Sequence, residues 1–188
     1  MFKKSKKFVC GNFKPIIANQ STKKINVDID IDINIKSDFG LIENIHDLKD
    51  VILPKLNETN IFITEHFKSF VNILDQIDNV LSIKAIIATL DNKAVDVLNK
   101  FDNVELIARE RNGEYLSKLE IERLNHKCSG ADIHIKAMLI ETENDYFVIE
   151  CSGNMKSSAN NEIVIIDNNY DYYKNYKDAF EQIKHKHQ

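Results

Sequence analysis

The stretch from His134 to Glu162 holds the residue types that chemistry on an anion requires. His134 and Lys136 sit two apart in an apolar run, DIHIKAMLIETE (132–143). In a strand, residues two apart point the same way, so imidazole and ammonium are expected to share one face while Ile133, Ile135 and Ala137 enter the core. Imidazole beside ammonium is an anion-seeking pair. The spacing alone carries little weight, because this lysine-rich chain has a second His-x-Lys, His66-Phe67-Lys68, at the start of an expected helix. Its downstream residues set His134 apart. Glu141 comes seven residues later, the returning strand delivers Ser152 and Asn154 within CSGN, and Glu162 opens the next strand.

The elements around these residues are set by hydrophobic period. INVDIDIDINIK alternates Ile or Val with Asp or Asn and reads as a strand with one acidic face. Its Asp28, Asp30 and Asp32 lack the glycine and distal glutamate that an EF-hand loop needs, so no metal is expected there. Ile45, Leu48, Val51 and Ile52 recur at helical spacing and predict a helix ending near Pro54. Together these form an N-terminal strand-helix extension. Strand and helix then alternate: NIFIT (60–64), HFKSFVNILDQI (66–77), IKAIIATL (83–90), KAVDVLNKF (93–101) and VELIAR (104–109). GEYLSKLEIERL (113–124) reads as a short helix, with a polar loop after it around Cys128, Ser129 and Gly130. A hairpin turned at Asn144-Asp145, the strand EIVIID (162–167) and a closing amphipathic helix complete the chain. Tyr172, Tyr173, Tyr176, Phe180 and Ile183 line one side of that helix and predict core packing. Nearly continuous apolar strands between helices predict an α/β fold, with a mixed, mostly parallel sheet and helices on both faces.

Composition limits the classes of function. The 188 residues carry 25 Lys or Arg against 29 Asp or Glu, a formal charge of −4. With 43% hydrophobic residues the chain is globular and long enough to bury one core without staples. Residues 1–25 stand apart as a basic N-terminal arm, with seven lysines and no acid; residues 26–188 read as a single domain. Three cysteines, Cys10, Cys128 and Cys151, form no CxxC pair, which argues against a disulfide framework or zinc knuckle and suits the cytoplasm. No segment approaches the about 20 apolar residues of a membrane span, and the apolar stretch near Met1 is too short for a signal peptide. A mildly acidic protein binds an anion only through a local basic site.

The series His134-x-Lys136, Glu141, Ser152-x-Asn154, Glu162 resembles the signature of the phospholipase D superfamily, HxKxxxxD with a later GSxN and an acidic residue. The resemblance covers roughly residues 57–185. It departs in two places: Cys151 stands where the motif has Gly, and Glu141 where it has Asp. It implies a phospholipase D-like fold and a phosphodiesterase that needs no metal or other cofactor. Lys136, Asn154 and Ser152 would neutralise the nonbridging oxygens of the transition state. His134 would be the nucleophile, forming a phosphohistidine, and Glu162 would fix its tautomer. Glu141 would be a scaffold residue.

Members with one motif complete the site as homodimers, so a second His134 would serve as the acid. The compact single-motif branch consists mostly of nucleases, which implies a nucleic-acid substrate, DNA before RNA, and no membrane. Arg109, Arg111, Lys127 and Lys156, near expected strand ends or motif loops, are candidate phosphate contacts. Two other readings stay open. One is a weak or inactive nucleic-acid-binding or regulatory module, favoured by Cys151 and the acidic charge; the other is a lipid phosphodiesterase.

Overall fold

A computed structural model describes residues 39–45, 51–64, 70–115, 118–156 and 160–186. The chain divides into two units, Met1–Asp32 and Ile33–Gln188, and every described residue belongs to the second. The basic arm, the INVDIDIDINIK segment and the His66 pair lie outside the described residues.

Among the described residues nine strands form one sheet: β1 (Phe39–Ile45), β2 (Glu58–Thr64), β3 (Ser82–Ile87), β4 (Val104–Arg111), β5 (Glu114–Tyr115), β6 (Lys127–Ala131), β7 (Ala137–Glu141), β8 (Tyr146–Cys151) and β9 (Glu162–Asn168). Their order is β1-β2-β9-β8-β7-β3-β4, and β4 pairs with both β5 and β6. A 3-10 helix (Phe70–Gln76), α1 (Asn92–Leu98), α2 (Lys118–Glu122) and α3 (Tyr170–Lys186) complete the elements. Among the described residues no helix is long and apolar enough to cross a membrane.

The sheet is mixed with helices packed on both faces, as expected, but it is not mostly parallel. Only β1–β2, β3–β4 and β4–β6 run parallel; the other pairings, through β2–β9–β8–β7–β3 and β4–β5, are antiparallel. The physical reason is that an unbroken apolar run reports burial on both faces, not strand direction. Direction is set by the connections, and the turn between β7 and β8 is too short for a crossover. The Thr142 hydroxyl accepts the N–H groups of Asn144 (3.2 Å) and Asp145 (2.9 Å), which closes that turn.

Alternation assigns the two faces. Phe147 and Ile149 of β8, Met138 and Ile140 of β7, and Ala85 and Ile87 of β3 pack into one core with the 3-10 helix and α1. Val148, Leu139, Ile86 and Ile107 point the other way and meet Tyr173 and Phe180 of α3.

Three further expectations fail. Ile45 ends a strand rather than starting a helix. Residues 113–124 do not make one helix. Asn112 and Gly113 take positive φ (54° and 79°), the geometry of a two-residue hairpin turn joining β4 to β5, and α2 begins only at Lys118. The polar segment around Cys128 is not a loop but strand β6, parallel to β4. A Cβ at Gly130 would fall 1.9 Å from the Glu110 carboxylate, so a larger residue there would have to displace that flexible side chain.

One end of the sheet is held by charge. Lys84 bonds Glu181 (2.8 Å) and Glu105 (3.3 Å), and Lys184 bonds Glu105 (2.7 Å), tying β3 and β4 to α3. The Lys184 hydrogen bond, aided by Lys84, holds Glu105 below the usual carboxylate range against the effect of burial; the hydrogen bond to Glu105 raises Lys184. A depressed carboxylate stabilises the fold above its unfolded pKa of about 4.3 and loses that contribution as pH falls through the folded value. A raised lysine stabilises below its unfolded pKa of about 10.4 and loses that as pH rises through the folded value. Urea titrations across pH are therefore expected to show two declining arms, and Glu105→Gln to flatten both at a cost of about 1 kcal/mol near neutrality.

Candidate active site

β3, β4, β6 and β8 all end, and β7 and β9 begin, at the same end of the sheet, opposite the Lys84 cluster. His134 and Lys136 immediately precede β7, and Ser152 comes directly after β8. The expected strand at 132–143 is shorter than its apolar run: β7 begins at Ala137, and before it only the Lys136 carbonyl still takes a β8 N–H, that of Cys151 (3.1 Å). Ile135 consequently stays 46% exposed instead of entering the core, while Ala137 is buried as expected.

Leaving the ladder makes room for a cavity of about 370 Å³, lined by His134, Lys136, Glu150, Cys151 and Ser152 and walled by Ile135, Ile163 and Ile165. The structure thus brings His134, Lys136 and Ser152 together. Asn154 and Glu162 do not line the cavity; Glu162 precedes the lining residue Ile163, and Asn154 comes two residues after Ser152. Asn154 Oδ1 accepts the Thr89 N–H (3.3 Å), which leaves its amide –NH2 as the donor end. Met155 bridges to Leu90, and its carbonyl takes the Asp91 N–H (2.9 Å), so the loop after β8 is pinned to the end of β3. Asp91 in turn caps α1 through the Ala94 N–H (2.9 Å).

Glu162 is fixed at both backbone and side chain. Thr64 Oγ1, almost wholly buried, accepts the Glu162 N–H (3.2 Å) and donates to its carbonyl (3.3 Å). The Ser152 hydroxyl donates to the Glu162 carboxylate and accepts the Ile163 N–H (3.0 Å). The resemblance points Glu162 at the His134 ring and Ser152 at the substrate. Here the hydroxyl proton is committed to Glu162, which makes Ser152 a positioning residue. Thr64 escaped sequence reasoning, since a threonine ending a strand carries no motif.

Cys151 borders the cavity but is itself buried. Its position on β8 aims the side chain into the larger core, beside Val164 and Met155, and Gly153 N–H bonds its sulfur (3.2 Å). Burial pushes this thiol up to about 12, and burial also pushes Cys128 up to about 11. Thiolate is the nucleophile, so iodoacetamide at pH 8 is expected to leave both unmodified until denaturant is added. Mass spectrometry of the native, treated protein checks this, and alkylated Cys151 would contradict the placement.

The remaining candidates divide. Glu141 stands at the far end of β7, where it accepts from Tyr173 (3.0 Å), Lys177 (3.2 Å) and Ser82 (3.4 Å) and joins two strands to α3. Arg109 and Arg111 lie at the cavity end of β4, and exposed Lys156 comes after Met155, but none of the three lines the cavity. Lys127 starts β6, in register with Glu105, at the opposite end of the sheet; it does occupy a strand end, but the wrong one for a phosphate contact. Glu150 is the cavity residue that sequence reasoning missed. Its two oxygens accept the hydroxyls of Tyr172 (3.2 Å) and Tyr176, both on α3. Among the described residues no cluster of His, Cys, Asp and Glu could hold a metal ion.

No protein-family model matches the sequence, and no curated protein matches it significantly. Solved structures do show likeness. Polyphosphate kinase from Porphyromonas gingivalis matches at 13% identity and a TM-score of 0.48, over 60% of this chain and 23% of its own. NucT from Helicobacter pylori matches at 16% identity and a TM-score of 0.46, over 60% of this chain and 83% of its own. Nuc from Salmonella typhimurium, described as a phospholipase D family member, matches at 15% identity and a TM-score of 0.46, over 67% of this chain and 94% of its own. At these identities the likeness concerns the fold alone.

Proposed function

We propose that the protein is a metal-independent phosphodiesterase that cleaves nucleic acid, DNA before RNA, in a homodimeric site. The observation that carries this reading is the cavity that His134, Lys136 and Ser152 line together, with the Ser152 hydroxyl bonded to the Glu162 carboxylate. A neutral imidazole is a competent nucleophile near pH 7, because its reference pKa is about 6.5. A His134 ring nitrogen attacks phosphorus in line, a P–N bond forms and the P–O bond to the leaving group breaks. Lys136 and the Asn154 amide face the nonbridging oxygens, where charge accumulates. His134 of a second copy protonates the leaving oxygen, then takes a proton from the water that hydrolyses the phosphohistidine.

Incubation of purified protein with single- and double-stranded DNA and RNA in EDTA tests the reading. Cleavage in EDTA and a solution mass near twice 21.7 kDa are expected. A monomer in light scattering at micromolar concentration would undercut the shared site, and loss of all activity in EDTA would refute metal independence. One observation favours a second reading, a nucleic-acid-binding module without turnover: the structure gives Glu162 a bond to Ser152 and none to the His134 ring. That reading predicts retention of oligonucleotides without cleavage.

A further inference from the structure

The cavity contains a group that phosphate chemistry does not use. Glu150 lines the cavity together with His134, Lys136 and Ser152, and among the described residues it forms no ion pair. A carboxylate there repels a phosphodiester, so its presence opposes binding unless the ligand brings hydrogen-bond donors to it. Its orientation is built in. Tyr176 donates to Oε1 and Tyr172 to Oε2, and the two rings pack edge to face with centroids 5.1 Å apart. An ionised carboxylate has about four lone-pair sites. With one on each oxygen taken by a tyrosine, each oxygen keeps acceptor capacity for a ligand donor. The neighbouring walls are apolar, with Ile163 half exposed and Ile135 nearly so. A flat, largely apolar ring with two N–H groups on one edge satisfies all of these surfaces.

We propose that Glu150, clamped by Tyr172 and Tyr176, reads a guanine beside the scissile phosphate by accepting its N1–H and N2–H. Guanine is the nucleobase that presents two neighbouring donors on its Watson–Crick edge; adenine and cytosine offer one amino group and thymine one imino group. That edge is open in a single strand or in an unpaired nucleotide, so the substrate class is single-stranded or locally unpaired nucleic acid. The inference rests on the phosphodiesterase reading and names its base preference. Glutamine at position 150 would place one acceptor and one donor where two acceptors are required, while preserving shape.

The test uses the full chain and end-labelled single strands, each with one G, A, C or inosine in an otherwise uniform thymidine tract. Cleavage beside G is expected to exceed that beside the other bases by about tenfold or more, and inosine, which lacks the N2 amino group, to lose most of that advantage. Glu150→Gln is expected to abolish the difference between G and A in whatever cleavage it retains. Equal cleavage at all four bases by the unaltered protein, or a G preference that survives in the glutamine variant, overturns the proposal and leaves the phosphodiesterase reading standing. No cleavage of any strand overturns both. The inosine comparison needs no variant, so it decides the matter even if Glu150→Gln fails to fold.

Discussion

Alanine at position 134 is expected to lower the rate of phosphodiester cleavage by at least about 10³-fold, because the imidazole is asked to serve both as nucleophile and, in the second copy, as acid. The fold should be unaffected: His134 is exposed on the cavity wall and lies outside the strand ladder. A melting curve that matches the parent protein, with activity lost, separates chemistry from stability. Lys136→Ala should also depress turnover, by removing a fixed positive charge from the developing oxyanion, yet leave oligonucleotide affinity less changed than rate. Retention of more than a tenth of the parent rate in the His134 variant would remove the imidazole from the reaction.

The second large effect concerns stability. Phe180→Ala is expected to cost about 3–5 kcal/mol, the range for emptying a buried aromatic site. Phe180 is wholly buried and, with Tyr173, fills the layer between α3 and the sheet against Ile86, Ile107, Leu139 and Val148. For a domain of this size each kcal/mol lowers the melting temperature by roughly 2–4 °C. Urea unfolding reads the loss directly, and a change under about 1 kcal/mol would mean that α3 is not seated as described. Because Tyr172 and Tyr176 lie on α3, loosening the helix should also release the Glu150 carboxylate.

Much of this arrangement is legible in the residues. The run AMLIE, the turn at Asn144-Asp145 and YFVIEC mark a hairpin by period and turn chemistry alone, and the spacing of Tyr173 and Phe180 marks the face of α3 that is buried. The convergence of His134, Lys136 and Ser152 comes from their place at the open end of that hairpin. Strand direction is not legible, because it depends on which neighbours a buried strand finds, and β2 finds β9 from the far end of the chain.

β6 is hidden for another reason. Its residues, KCSGA, carry little strand propensity, and the strand is held by its parallel pairing with β4. The Asn112-Gly113 turn carries a recognisable hairpin signal that the helical spacing after it obscures. Glu150 reads as an ordinary outward-facing polar residue of β8, and only the return of α3 over the sheet brings Tyr172 and Tyr176 to it. Contacts between elements distant in sequence leave no local pattern.

During turnover the His134 imidazole is expected to become covalently bonded to phosphorus. Rapid quenching of the protein with a phosphodiester substrate, then digestion and mass spectrometry at neutral or alkaline pH, where phosphoramidates survive, tests it most directly. The predicted result is a phosphoryl or phosphoryl-nucleotide adduct on the peptide containing His134, appearing before product and missing from the alanine variant. Product formation with no adduct at His134 at any time, or an adduct on another residue, would contradict it.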